Sequence, residues 1–318
     1  MEARKLQRVG ASFLISVPKR WVKGHSLERG STLLVHERAD GMLIISPGLA
    51  EEPVQRRDVI TSPDDLSRTI LASYLAGNDV IELKLGDVMT SSLKREVKRM
   101  ALFLVGAEVI EEDAAMMTLQ CLISRNIDLR TYLKRTYEIA AKMHEDAVRS
   151  FIRSDQELAQ DVINRDQEVD RLYFLVVRQL RRAIASPTGD YLLSPLNLLD
   201  YRLVAKEVET IADCGVGIAE QVLTKPSIPL DPEFSKLLNE LSQQVILAHR
   251  EAITAVLQQD ETRAYRVIKM KNEIKELIRR LTAVLMKQDA AFLPLLDRVA
   301  HYLERISESS IDIADLVI

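Results

Sequence analysis

The feature that most restricts how this chain can fold is an internal repeat. Val204-Ala205-Lys206-Glu207-Val208-Glu209-Thr210-Ile211-Ala212-Asp213, followed by Gly217-Ile218-Ala219-Glu220, returns at an offset of 95 residues. The second copy is Val299-Ala300-His301-Tyr302-Leu303-Glu304-Arg305-Ile306-Ser307-Glu308, followed by Asp312-Ile313-Ala314-Asp315. Another pair of segments aligns at an offset of 105, with Val162-Ile163 against Val267-Ile268 and Glu168-Val169 against Glu273-Ile274. Such repeats mark duplication of one supersecondary unit. From about residue 127 onward, Leu129, Leu133, Tyr137, Ala140, Ala147, Val148 and Phe151 trace one helical face. Breaks at 186–190 and 225–229, and shorter ones near Ser154-Asp155, Gln259-Asp260 and Gln288-Asp289, divide the region into six helices. The expectation is a helical domain over 127–318, built as two three-helix bundles at about 127–224 and 231–318. Aromatic residues make up only 5% of the chain, which suits helix-on-helix packing better than a β-sandwich.

Upstream the rhythm is different. Leu6, Phe13, Ile15, Val17, Leu33, Val35, Leu43 and Ile45 sit at strand spacing, with turn signals at Gly10-Ala11 and Ala39-Asp40-Gly41. Pro18 ends one strand and suits the first position of a short helix running to Gly24. A unit of 1–48 with neither disulfide nor metal site cannot easily bury a core alone, so pairing with a second copy is expected. A linker near 49–60 passes into a strand. Helices opening at Ser62-Pro63-Asp64-Asp65 and near Met89, with strands at 80–85, 107–110 and 116–122, then make a small α/β layer over 59–123. The fold class is therefore α+β and multidomain.

Two charge patterns stand out. Net charge is −4, yet Arg4, Lys5, Arg8, Lys19, Arg20 and Lys23 fall in one stretch that contains no acid. A basic patch on an acidic chain suits one module that meets a polyanion, and pairing would double it. The plainer reading is a solubility surface. The second pattern is acidic. Residues four and eleven apart on a helix fall within about 40° of each other. Glu209, Asp213 and Glu220 therefore share a face, as do Glu304, Glu308 and Asp315, and Asp166 and Asp170 share another. Acidic rows on adjacent helices suit a divalent or iron-type cation. The plainer alternative is a salt-bridged face, favoured in the second repeat, where Lys271 and Lys275 replace Asp166 and Asp170.

Other classes find little support. His25, His36, His144, His249 and His301 make no motif, and each reads as a surface or satisfied histidine. No phosphate-binding glycine loop or nucleophile elbow is present, so an enzyme is not expected. Cys121 and Cys214 read as small apolar fillers in a reducing compartment. No apolar run is long enough to span a bilayer, which points to a cytoplasmic protein.

Two resemblances follow from these residues. Lys5-Leu6-Gln7-Arg8-Val9-Gly10, Phe13-Leu14-Ile15-Ser16-Val17-Pro18-Lys19-Arg20-Trp21, Gly30, Asp40-Gly41 and Ile45 resemble the AbrB/SpoVT swapped-hairpin domain. That resemblance implies a swapped-hairpin β-barrel, an intertwined homodimer, and DNA contacts through Arg4, Lys5, Arg8, Lys19, Arg20 and Lys23. The paired motifs Val208-Glu209-Thr210-Ile211-Ala212-Asp213 and Leu303-Glu304-Arg305-Ile306-Ser307-Glu308, with 162–170, are similar to PhoU. It implies a restraint on phosphate uptake through a transporter or sensor kinase, and a metal on Asp166, Asp170, Glu209 and Asp213, less so on Glu304 and Glu308. An AbrB-like head before a PhoU-like body resembles archaeal phosphate-uptake regulators. The expected function is a DNA-binding regulator of phosphate uptake. The alternative is a regulator that docks on the transporter or kinase, with the head used for dimerisation.

Overall fold

The alternation of the first fifty residues yields two separate hairpins. The structure, a computed structural model, describes residues 3–37, 41–48, 55–86, 88–123, 128–185, 194–225 and 229–318. Ala39-Asp40, Glu51-Glu52-Pro53, the break at 186–190 and Pro226-Ser227-Ile228 lie outside the described residues. β1 (Gln7–Val9) pairs antiparallel with β2 (Ser12–Leu14) around Gly10, whose φ of 63° suits a residue without Cβ. Pro18 is extended and caps α1 (Lys19–Gly24), so the helix starts one residue later than the sequence suggests. β3 (Leu33–Glu37) pairs antiparallel with β4 (Leu43–Pro47).

The barrel expected from the sequence is not closed. Among the described residues the hairpins share no ladder, so their edges stay open. None of the residues described in 3–48 is buried, and Leu6, Phe13, Ile15, Leu34, Val35 and Leu43 are each more than half exposed. The physical reason is size: isolated two-stranded ribbons are marginal, and this chain offers no second apolar layer from its own first 48 residues.

Residues 55–185 and 195–318 form one compact unit. Its sheet has the order β5 (Arg57–Ile60), β6 (Val80–Lys84), β8 (Met116–Cys121), β7 (Ala107–Glu112). β5 and β6 are parallel and joined through α2 (Leu66–Leu75), while β8 runs antiparallel to both its neighbours. On β6, Ile81 and Leu83 point into the core while Glu82 between them meets Arg57 and Lys84. α3 (Ser91–Phe103) opens on Thr90, whose hydroxyl accepts from the Leu93 N–H, and buries Val97 and Met100. The core of this layer joins Ile70, Tyr74, Ile81, Leu83, Val97, Met117 and Leu119.

The six long helices are α4 (Leu129–Arg153), α5 (Gln156–Ala185), α6 (Pro195–Thr224), α7 (Pro232–Gln258), α8 (Glu261–Leu285) and α9 (Leu293–Asp315). The duplication is visible in the backbone. α4 ends at Ser154 and α7 at Gln259, both left-handed, with φ of 53° and 54°. The next helix of each repeat then follows Asp155 or Asp260, whose carboxylates accept from backbone N–H groups of the first turn. Each set of three packs as a bundle, and the two bundles meet along α4 with α7 and along α6 with α9. Gly217 sits where α6 passes the ring of Tyr302 on α9, in a space a Cβ could share only if that ring moved. No helix among the described residues is long and apolar enough to cross a membrane.

Candidate functional site

The first acidic group is assembled by adjacent helices. α5 carries Asp166 and Asp170, and α6 carries Glu209 and Asp213. Burial raises the carboxyl of Asp166 to about 6, helped by the negative charges of Asp170 and Glu209. Asp213 is likewise raised to about 6 by burial, then by Glu209 and Asp166, and Asp170 moves the same way. These carboxylates thus share one unfavourable field. Lys206 relieves part of it by bonding Glu209, while Arg202 stacks over Tyr173, 5.4 Å from its centroid. Glu220 is exposed. Among the described residues no three carboxylate, imidazole or thiol groups converge as metal ligands do. The four acids thus repel one another without forming a ligand cage among the described residues.

The corresponding place in the second repeat is an ion-pair network. A cavity of about 370 Å³ is lined by Lys271, Lys275, Glu304, Arg305, Glu308 and Asp312. Arg305 reaches Glu308 at 3.4 Å and Glu207 at 3.5 Å. A cation would meet three fixed positive charges there, so Glu304 and Glu308 do not fit a metal site. Asp315 is exposed.

An expected result follows for the first group. Asp166→Asn with Asp213→Asn should raise the stability of metal-free protein at neutral pH by roughly 1 kcal/mol, since like charges are removed from a partly solvated cluster. Thermal melting in the presence of a chelator measures it, and a lowered melting temperature would show that the carboxylates hold the fold instead.

The six basic residues fall in two sets. Arg4, Lys5 and Arg8 lie at or before β1, and Lys19, Arg20 and Lys23 lie on α1; all are exposed. Arg8 donates from Nε to the Gly10 carbonyl at 3.2 Å. Trp21 packs on His25 at 5.1 Å between ring centroids and is only partly covered.

The histidines contain a constellation that sequence reading missed. His144 on α4 and His249 on α7 are fully buried and meet at 3.2 Å, Nδ1 to Nε2. Tyr137 OH lies 2.9 Å from His249 Nδ1, and Ser242 Oγ lies 3.2 Å from His144 Nε2. Tyr137 and Ser242 are separated by 105 residues, as are His144 and His249. That is the offset at which the first helix pairs align, so each hydroxyl bonds the histidine of the opposite repeat. Burial pushes His144 down to about 3, and His249 falls well below its usual range for the same reason, helped by His144 and Arg250. Both rings are neutral at physiological pH. The signal in the sequence was the shared offset, but periodicity alone does not say that the two helices face each other.

The comparisons accord with the duplicated bundle. The family model of the PhoU domain matches residues 133–222 and 238–317. The crystal structure of PhoU from Pseudomonas aeruginosa superposes with a TM-score of 0.55 at 20% identity, over 60% of this chain and 94% of that one. The phosphate transport system regulatory protein PhoU from Streptococcus pneumoniae gives 0.52 at 14% identity, over 59% and 91%. No curated protein matches the chain. Identities this low establish the fold, whereas the family match spans both repeats and more than half of the sequence, with the duplicated Glu-containing helices α6 and α9 inside it: the chain belongs to the PhoU family.

Proposed function

We propose that this chain regulates phosphate transport by docking its helical bundles on a protein of the transport system, with the N-terminal unit pairing two chains. The observation that carries the reading is completeness. The whole of a PhoU fold is present, with both repeats, over 94% of the length of one solved relative. The open hairpins support the pairing. Exposed Phe13 and Val35 belong to apolar faces that a second copy would cover, and obligate dimers bury such surface.

Co-purification of the full chain with the phosphate transporter and its sensor kinase tests the docking. Capture of either protein is expected; failure of both to bind, with folded protein, overturns it. For the pairing, the wild-type chain should sediment as a dimer and Phe13→Asp with Val35→Asp as a monomer. A monomeric wild type would refute it.

A second reading is favoured by one observation: Arg4, Lys5, Arg8, Lys19, Arg20 and Lys23 are exposed on a unit whose first twenty or so residues hold no acid from Arg4 to Lys23. In this reading the paired N-terminal units bind DNA, through phosphate contacts whose affinity falls steeply with salt. A gel-shift titration separates the two readings. A band lost as salt rises, and lost at all salt in a variant lacking Lys19, Arg20 and Lys23, supports DNA binding. No band at low salt leaves a dimerisation clamp. A cation on the acidic group is not part of either reading.

A further inference from the structure

Where α4 meets α7, a cavity of about 490 Å³ opens along the seam of the two repeats. Arg149 and Arg153 enter it from α4, Lys236 and Arg250 from α7, and Glu145 is the one carboxylate in its wall among the described residues. Glu145 is already engaged by Lys142 at 3.0 Å, and Arg149 by the buried Asp146 at 2.6 Å. Arg153 and Lys236 form no ion pair among the described residues, and Arg250 stands beside the Tyr137 hydroxyl. Cations converging on a concavity repel one another, and the field between them is strongest where low-dielectric walls confine it. The volume lies within the ~300–1,000 Å³ typical of small-molecule sites, larger than one bare phosphate needs.

The floor of the cavity connects it to the buried histidines. Ser242, only 4% exposed, lines the cavity and also contacts His144. From there the bonds run to His249 and on to Tyr137, whose hydroxyl stands beside Arg250 on the rim. With both rings neutral, this chain has two self-consistent proton orders. In one, Tyr137 donates to His249 Nδ1, His249 Nε2–H donates to His144 Nδ1, and His144 Nε2–H donates to Ser242. The Ser242 hydroxyl hydrogen is then free to enter the cavity. In the other, Ser242 donates to His144, every bond reverses, and the cavity meets only a serine lone pair.

We infer that this seam binds a small phosphomonoester, or phosphate itself, with Arg153, Lys236 and Arg250 holding the oxyanion and Ser242 donating to it, and that the bound anion fixes the proton order of the histidine pair. A phosphomonoester dianion offers only acceptors, so it selects the order that frees the Ser242 hydrogen. The selected bonds cross from one repeat to the other, which joins occupancy of the cavity to the bundle interface. The inference rests on the regulatory reading only for what the anion reports; the binding is a separate matter, and neither partner capture nor sedimentation depends on it.

The test uses the full chain with two probes, inorganic phosphate and glycerol 3-phosphate, in calorimetry and in phosphorus NMR. Saturable binding is expected. Tighter binding of the ester identifies a metabolite as the source, and tighter binding of inorganic phosphate identifies the free ion. Arg153→Ser with Lys236→Ser, both exposed side chains, should leave the melting temperature unchanged and weaken binding by roughly a hundredfold, about tenfold per charge-assisted contact. Imidazole nitrogen shifts of His144 and His249 should move in wild type at a saturating concentration of the anion and barely move in that variant at the same concentration. No saturable signal with either probe, or equal affinity in the double variant, overturns the site. Binding with unmoved imidazole shifts overturns the coupling to the histidines.

Discussion

Replacing Asp79 with alanine is expected to cost about 3–5 kcal/mol, because it strands a buried cation. Arg178 on α5 is 0% exposed and faces the α/β layer. Its Nη1 donates to the Tyr74 carbonyl at 2.5 Å, and its guanidinium lies 4.7 Å from the Tyr74 ring centroid. Its Nη2 approaches Asp79 at 3.6 Å, and Arg182 reaches the same carboxylate at 2.5 Å. Asp79 also accepts from the Arg56 N–H at 3.1 Å. One carboxylate thus serves two guanidinium groups and a backbone donor, while Nε and Nη2 of Arg178 have no hydrogen-bond partner among the described residues. Without Asp79, the Arg178 charge keeps its desolvation cost and loses its counter-ion. Asp79→Leu combined with Arg178→Met should lose less than the sum of the two single changes, since the fully buried Arg178 charge is gone and only Arg182 still misses its carboxylate. Urea denaturation of the four proteins reads the coupling. Additive losses would show that the two side chains act independently.

The second large effect is acid lability. His144 is held at about 3 by burial, against 6.5 in an unfolded chain. Between these values the unfolded chain binds a proton that the folded chain refuses, so stability is complete above about pH 6.5 and falls as the pH drops toward 3. At pH 5 this amounts to about 2 kcal/mol from His144 alone, and His249 adds to it in the same direction. Asp166 and Asp213 work against it. Their carboxyls are raised in the folded chain, so acidification relieves an unfavourable charge as it falls through about 6. The loss between neutrality and pH 5 should therefore be steeper in the Asp166→Asn, Asp213→Asn protein than in wild type. It should be shallower in His144→Gln with His249→Gln. Equal slopes in all three, from denaturation at a series of pH values, would remove the histidines as the cause.

Legibility in the sequence differs from element to element. The six long helices announce themselves, because α4 and α7 each present an apolar stripe that recurs at helical spacing and ends at a definite cap. The duplication is legible as well, since Glu209 and Glu304 sit in matching segments. The acidic group is legible as shared helix faces, and α5 does bring Asp166 and Asp170 beside Glu209 and Asp213. Its standing as a metal centre is not, because ligand convergence is a matter of fractions of an ångström that helix phase does not set. The N-terminal strands fall near where the alternation puts them, although β2 stops at Leu14 and leaves Ile15 and Val17 outside it, and their closure into a barrel does not follow, since one copy supplies two open hairpins.

By itself the sequence determined the α+β composition, the division of the C-terminal region into long helices and the doubled unit that places the chain in its family. These are consequences of periodicity and capping, which act over a few residues. Only the tertiary structure decided that His144 faces His249, that Ser242 lies between a buried imidazole and a cationic cavity, and that Asp79 is the counter-ion of Arg178. Each of these pairs is separated by about a hundred residues along the chain. Nothing local encodes such a meeting: it exists because separate layers, two bundles and an α/β sheet, each burying its own apolar face, bring particular faces together, and burial then turns ordinary side chains into strongly perturbed ones.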